Sequence, residues 1–98
     1  MTRDEILRRL AAARPQLDEF EVESLFVFGS FARNEASASS DVDLLVKFKA
    51  GASVGMFRFV RLQRCLGELL GMPVDLATPD ALHKAMRDDI LREAIRAA

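Results

Sequence analysis

The fold is decided by the stretch Ser40-Asp41-Val42-Asp43-Leu44-Leu45-Val46, which places two carboxylates at the start of an apolar run. The apolar residues predict a buried β-strand from Asp41 to Phe48. Because side chains alternate along a strand, Asp41 and Asp43 must project from the same face. Like charges this close repel each other unless a cation lies between them. We therefore expect a divalent metal ion at this strand end.

A tight turn precedes this strand. The run Ser24-Leu25-Phe26-Val27-Phe28 is β-branched and aromatic and is closed by Gly29, which is typical of a buried strand that ends in a turn. Gly29 leaves the backbone bare, so amide groups there can approach a phosphate, and the Ser30 hydroxyl can donate a further hydrogen bond. The pair Gly29-Ser30 is therefore a candidate phosphate-binding turn.

A third carboxylate, Asp75, lies inside the apolar run Pro73-Val74-Asp75-Leu76-Ala77, which predicts another strand. Together with Asp41 and Asp43 it could hold two Mg²⁺ ions about 3.5–4 Å apart, one activating an attacking hydroxyl and one clamping a triphosphate. Carboxylate oxygens suit Mg²⁺, and Mn²⁺ accepts the same ligands. Asp75 is also the natural general base for the incoming hydroxyl. The alternatives are a solvated strand end for Asp41 and Asp43, and a salt bridge with an arginine for Asp75.

The rest of the chain predicts helices around these strands. A capped start at Thr2 opens a helix of about three turns. We expect a short helix over Ser30–Ala36 and a longer amphipathic one from Phe59 to near Gly71. A final helix should run from Thr78-Pro79 to the C-terminus, with room for an interruption near Met86. The expected fold class is α/β (α+β), with residues 1–98 forming a single domain in which helices flank a small mixed sheet.

Composition excludes several classes of function. Fourteen basic and fifteen acidic residues give a net charge of -1, which provides no long-range attraction for a nucleic-acid backbone. The apolar residues fall into separate segments, so no membrane span is expected, and the N-terminus lacks the apolar stretch of a secretory signal. We expect a cytoplasmic protein that does not bind nucleic acid directly.

Three motifs in this order resemble the polymerase-β-like nucleotidyltransferase superfamily. They are Gly29-Ser30-Phe31-Ala32-Arg33, Ser40-Asp41-Val42-Asp43-Leu44-Leu45-Val46 and Val74-Asp75-Leu76. Within it, the length and the C-terminal segments look like the minimal nucleotidyltransferases, the MNT antitoxin group. The resemblance implies that Gly29 and Ser30 bind the nucleotide phosphates, that Asp41 and Asp43 are metal ligands, and that Asp75 is the third carboxylate.

The sequence departs from this family at one position. The family usually has glycine after the motif arginine, whereas this chain has Asn34. Asparagine is the next best residue for left-handed backbone, so we expect the turn to survive.

The resemblance also implies an activity and a partner. It implies transfer of AMP, or another nucleoside monophosphate, from ATP or another NTP with release of pyrophosphate. In the antitoxin branch the acceptor is a tyrosine hydroxyl of a partner HEPN toxin, in a type VII-like toxin–antitoxin pair, so we expect a hetero-oligomer. The alternatives are a non-catalytic antitoxin that neutralises its partner by complex formation, and a nucleotidyltransferase acting on a small molecule.

Several side chains have roles that the sequence leaves open. Arg33 could contact phosphate or tie the turn to an acidic neighbour, and we prefer the second role. Arg58, Arg61 and Arg64 could face a nucleotide or an acidic partner, or form a solvated helix face. Met56 and Phe57 could belong to the core or to a partner patch.

Overall fold

A four-stranded mixed sheet organises the chain, which the computed structural model describes from residue 1 to residue 98. The helices are α1 (Arg3–Ala12), α2 (Arg14–Glu19), α3 (Gly29–Ala32), α4 (Met56–Leu70) and α5 (Lys84–Glu93), with a 3₁₀ turn at Pro79–Ala81. The strands are β1 (Val22–Phe28), β2 (Val42–Phe48), β3 (Val74–Ala77) and β4 (Ile95–Arg96).

The sheet has the strand order β3-β2-β1-β4. Strand β1 is antiparallel to both β2 and β4, whereas β2 and β3 are parallel and are joined through α4. A parallel pair needs such a crossover because a tight turn would reverse the chain direction. The register sets Asp43 opposite Phe28 on one side and opposite Asp75 on the other. The carboxylates of β2 and β3 therefore lie at one level of the sheet, beside the turn that follows β1.

One face of the sheet carries the hydrophobic core. Val42, Leu44 and Val46 alternate along β2 and belong to the same buried cluster as apolar residues of α1 and α4. The residues of α1 and α4 in this cluster are Ile6, Leu10, Leu62, Leu66 and Leu70. Full burial of each leucine side chain contributes about 1.5–3 kcal/mol to the free energy of folding. The core therefore stabilises the sheet independently of the carboxylates. Asp43 projects from the opposite face.

Most of the predicted elements are confirmed. The Thr2 hydroxyl caps α1 by accepting the Glu5 amide hydrogen at 3.2 Å, and Gly71, whose φ is 66°, caps the C-terminal end of α4. Strand β1 begins at Val22, two residues before the predicted start at Ser24. Within the chain, no helix combines the length and the apolar character that crossing a bilayer requires.

The predicted helix between the first two strands is too long. Helix α3 covers Gly29–Ala32, where Ser30–Ala36 was expected, because the chain enters the left-handed region at Asn34 with φ 60°. This conformation ends a right-handed helix, and asparagine adopts it more readily than most residues. The expectation that Asn34 would preserve the turn is thereby confirmed.

The prediction of a helix that continues to the C-terminus is wrong. After the 3₁₀ turn the chain starts again at α5, where His83 Nδ1 accepts the Ala85 amide hydrogen at 3.2 Å. Helix α5 ends at Glu93, and the next residues pair with β1 as β4. The Ala97 amide then donates to the Leu25 carbonyl at 2.8 Å. Without this strand, the edge of β1 would expose unpaired backbone groups.

Candidate functional site

The candidate site is built around two aspartates on neighbouring strands. Asp43 of β2 and Asp75 of β3 are register partners in a parallel pair, so their side chains project from the same face. Neighbouring strands lie about 4.8 Å apart, which brings the two carboxylates side by side. Asp41 precedes β2 and is exposed, as is Asp75, whereas Asp43 is partly buried. The structure thus brings together Asp43 and Asp75, with Asp41 at the open side.

The charge of these carboxylates is not balanced within the chain. Burial raises the pKa of Asp43 above its ordinary value, and the negative charges of Asp75 and Asp41 raise it further. Arg33 acts in the opposite direction, with a smaller effect. None of the three aspartates forms a salt bridge, so the arginine partner considered for Asp75 is not present. The site therefore offers concentrated negative charge to a cation.

Gly29 must be glycine for two independent reasons. Its φ is 71°, a region that side chains disfavour. A Cβ at this position would also overlap Asp43 Oδ2 and would lie 3.0 Å from Asp43 Cγ. Because Gly29 has no side chain, the Asp43 carboxylate can lie against the first residue of α3. The next residue, Ser30, is partly exposed.

The amide of Gly29 is engaged by a residue that the sequence reasoning missed. It donates to Glu93 Oε1 at 3.1 Å, and Arg33 Nη1 donates to Glu93 Oε1 and Oε2 at 3.2 and 3.0 Å. Arg33 Nε also donates to Glu35 Oε2 at 3.3 Å. These hydrogen bonds, first of all those to Glu93, raise the pKa of Arg33. The preferred role of Arg33 is confirmed, but the Gly29 amide is directed at a carboxylate and not at open solvent.

The donor set at this site suits a hard divalent cation. All three candidate ligands are carboxylates, which are the ligands Mg²⁺ prefers. The side chains as they stand do not form a ready-made cluster of three His, Cys, Asp or Glu ligands. Mg²⁺ usually binds through one or two carboxylates, with waters and substrate phosphates completing its shell. The uncompensated charge of Asp41, Asp43 and Asp75 fits such shared coordination.

Two of the three carboxylates, those of Asp41 and Asp75, are exposed at the surface. Cavities of about 270 and 620 Å³ adjoin α4, and neither is lined by Asp41, Asp43 or Asp75. Exposed carboxylates are accessible to a large acceptor molecule, whereas the binding site of a small molecule usually encloses its ligand on most sides.

The beginning of α4 carries an exposed apolar patch. Phe57 is 89% exposed and Met56 is 75% exposed, so neither belongs to the core, and Val60 lies one turn further along. Arg61 and Arg64 share a surface groove with these three residues and form no salt bridge. We refer to these five residues as the α4 patch, an apolar surface bordered by free positive charge.

Comparison with known proteins gives concordant results. The profile of the nucleotidyltransferase domain family matches residues 7–97. A candidate protein adenylyltransferase of Methanocaldococcus jannaschii is 40% identical over 95 residues, covering 97% of both chains. The protein adenylyltransferase MntA of Thermococcus cleftensis is 38% identical over 96 residues, covering 97% of this chain and 95% of the relative.

Solved structures agree with these sequence relatives. A candidate minimal nucleotidyltransferase superposes with a TM-score of 0.79 at 36% identity, covering 97% of this chain and 95% of that chain. A chain in the complex of tri-AMPylated Shewanella oneidensis HEPN toxin with its MNT antitoxin superposes at 0.65 with 14% identity, covering 94% and 71%. The second likeness concerns the fold alone. The predicted fold, a small mixed sheet flanked by helices of the nucleotidyltransferase type, is confirmed.

Proposed function

This chain belongs to the nucleotidyltransferase domain family, and we propose that it is a protein adenylyltransferase, which transfers AMP from ATP to a hydroxyl of a partner protein and depends on Mg²⁺. The observation that carries the proposal is the register pairing of Asp43 with Asp75, beside the turn at Gly29. The protein adenylyltransferase MntA, similar over nearly the whole chain, supports the choice of AMP and of a protein acceptor. In this proposal residues 1–98 act as one minimal catalytic domain.

Each site residue has a role in this proposal. Asp41 and Asp43 hold the metal with Asp75, and Ser30 donates its hydroxyl hydrogen to the nucleotide phosphates at the turn begun by Gly29. When bound, Mg²⁺ neutralises charge on the phosphates and lowers the pKa of a hydroxyl that it binds. Asp75 is exposed at the edge strand, so it can accept the proton of an incoming hydroxyl.

We infer that the acceptor is a tyrosine of a HEPN-type toxin and that the chain acts as the antitoxin of this pair. The solved complex of an AMPylated HEPN toxin with an MNT antitoxin supports a HEPN toxin as the acceptor, and the choice of tyrosine follows from the family resemblance. The open position of the carboxylates favours a macromolecular acceptor over a small molecule. The α4 patch offers an apolar surface with free arginines, which suits a partner whose contact surface is apolar and acidic.

The decisive experiment measures the intact mass of a candidate HEPN-type partner protein, after incubation with the chain, ATP and Mg²⁺. Addition of one or more AMP units, lost with EDTA and with Asp43→Asn, is the expected result. Asp80→Asn is the matched control, because Asp80 is an exposed carboxylate on the 3₁₀ turn and outside the site.

Two other outcomes would change the interpretation. An unchanged mass together with a tight complex would favour a non-catalytic antitoxin. Modification at the wild-type rate by Asp43→Asn would mean that the catalytic carboxylates have been assigned wrongly.

A further inference from the structure

We propose that Glu93 is a positioning residue for nucleotide binding, which holds the Gly29-Ser30 turn in place by accepting the Gly29 amide hydrogen. The inference rests on the proposed function for the identity of the nucleotide. It concerns a residue at the far end of the sequence from the turn, 64 positions away from Gly29.

The geometry joins Glu93 to two groups of the turn. Its Oε1 accepts from the Gly29 amide at 3.1 Å, and both of its oxygens accept from Arg33 at 3.0–3.2 Å. The carboxylate is well shielded, with 24% of the side chain exposed. Hydrogen bonds to an ionised acceptor are about twice as strong as neutral ones, so this pair of contacts holds both ends of α3.

Strand register brings Glu93 to this position. In the antiparallel pair of β1 and β4, Val27 lies opposite Ile95. Extending this pairing by two residues on each strand sets Gly29 opposite Glu93. Strand β4 is secured by further backbone bonds, including the one from the Leu25 amide to the Ala98 carbonyl at 3.0 Å. Glu93, the last residue of α5, is therefore placed beside Gly29 by the strand pairing that begins two residues later.

The contact has a direct consequence for the nucleotide. Gly29 has the conformational freedom of glycine and a φ of 71°, so without a partner its peptide could adopt several orientations. With the amide committed to Glu93, the turn is ordered before a phosphate arrives, and binding does not have to supply that ordering. Arg33 balances the charge of Glu93, so the carboxylate can serve as an acceptor next to an anionic ligand.

The two contacts of Glu93 can be separated by substitution. Glu93→Gln retains a carbonyl oxygen for the Gly29 amide but loses the ion pair. The exchange Arg33→Glu with Glu93→Arg restores opposite charges, but arginine has no hydrogen-bond acceptor. Glu35→Gln is the matched control, because Glu35 also pairs with Arg33 but does not contact Gly29.

The test combines two measurements on the full chain. The first is hydrogen exchange of the Gly29 amide by NMR, and the second is the affinity for a non-hydrolysable ATP analogue with Mg²⁺ by calorimetry. Glu93→Ala and the charge exchange should accelerate the exchange of Gly29 and weaken affinity by about tenfold, the scale of one hydrogen bond to a charged group. Glu93→Gln and Glu35→Gln should stay within about threefold of the wild type, a difference smaller than one such bond.

The results separate this inference from the proposed function. If the charge exchange accelerates Gly29 exchange but leaves affinity unchanged, Glu93 only stabilises the fold and the inference is wrong. If Glu93→Gln weakens nucleotide affinity as much as the charge exchange does, the ion pair with Arg33 is responsible and the contact with the Gly29 amide is not. This result would also overturn the inference. If nucleotide affinity depends on Glu93 as expected while no partner protein is modified, the inference stands and the proposed function fails.

Discussion

Asp43 and Asp75 are register partners on adjacent parallel strands, and neither is neutralised by a basic side chain of this protein. The folded chain therefore keeps two like charges together at an unfavourable electrostatic energy. Natural proteins accept such local instability chiefly at functional sites.

Replacing Asp43 by asparagine should separate stability from activity. The substitution removes one negative charge from a partly buried position near Asp75 and Asp41, so the melting temperature in EDTA should rise by a few degrees. Nucleotidyl transfer should be abolished because a proposed metal ligand is lost. Calorimetric scans and intact-mass assays check the two effects, with Asp80→Asn as the control. A melting temperature below that of the wild type would contradict this electrostatic reasoning.

Asp75→Asn should affect turnover more than binding. If Asp75 accepts the proton of the attacking hydroxyl, its loss should lower kcat by about 10²- to 10⁴-fold. Affinity for ATP should change less, because the variant keeps Asp41 and Asp43 as the proposed metal ligands and Ser30 as the proposed phosphate contact. Single-turnover rates and nucleotide titrations measure these quantities separately. Turnover equal to that of the wild type would exclude Asp75 both as base and as ligand.

Gly29→Ala should impair the protein more than backbone strain at residue 29 alone predicts, because it should affect activity as well as stability. A comparison with Gly51→Ala isolates the excess, since Gly51 has φ 80° but a Cβ there would meet no atom within 4 Å. Both variants should lose about 1–2 kcal/mol of unfolding free energy from the left-handed backbone. Gly29→Ala should in addition displace the Asp43 carboxylate and eliminate transfer. Urea unfolding and the mass assay test this, and equal behaviour of the two variants would mean that the close approach of Asp43 is unimportant.

Phe57→Ala should weaken the complex with the partner protein. The side chain is 89% exposed, so its removal should leave the melting temperature nearly unchanged. Burial of an aromatic anchor at an interface is commonly worth 2 kcal/mol or more, so affinity should fall by about thirtyfold or more. Leu91→Ala is a suitable control, because Leu91 is an apolar residue of α5 that is 47% exposed and lies outside the α4 patch. Equal affinities of both variants in a titration would remove the α4 patch as the interface.

Asp18 gives the fold a dependence on acidity that is separate from the site. Hydrogen bonding from Arg14 lowers the pKa of Asp18 below its ordinary value of 3.8. Because the folded state holds this proton less tightly than the unfolded state, the stabilisation is present above the unfolded pKa and is lost as the pH falls through the folded pKa. Asp18→Asn should therefore melt slightly below the wild type at pH 7, and the difference should vanish in strong acid. A difference that persists in strong acid would contradict this origin.

Local sequence patterns were sufficient to predict much of this fold. The first three strands, the long helix and the left-handed turn at Asn34 follow from apolar runs and turn residues that act over a few positions. Strand β4 has two residues, which are too few to show an alternation of apolar and polar side chains. It forms because its backbone hydrogen-bonds to β1, which the local sequence does not reveal. Glu93 was missed for the same reason, since its contact with Gly29 depends on that pairing and leaves no local signal.

The position of Asp75 illustrates what the candidate site owes to tertiary structure. The apolar neighbours of Asp75 indicated a strand, but they did not indicate which strand it pairs with. Its closeness to Asp43 was therefore an assumption. The parallel register makes the two residues neighbours, and the edge position of β3 leaves Asp75 exposed and free of an arginine partner. Sequence alone could not distinguish this arrangement from a buried ion pair.

The attachment of β4 to β1 also means that the site depends on both edges of the sheet. Asp75 lies on β3 at one edge, and Glu93 lies two residues before β4 at the other edge. Detachment of β4 would release Glu93 from the Gly29 amide, whereas the register of Asp43 with Asp75 would be kept. The turn and the pair of aspartates therefore respond to disturbances at opposite sides of the molecule.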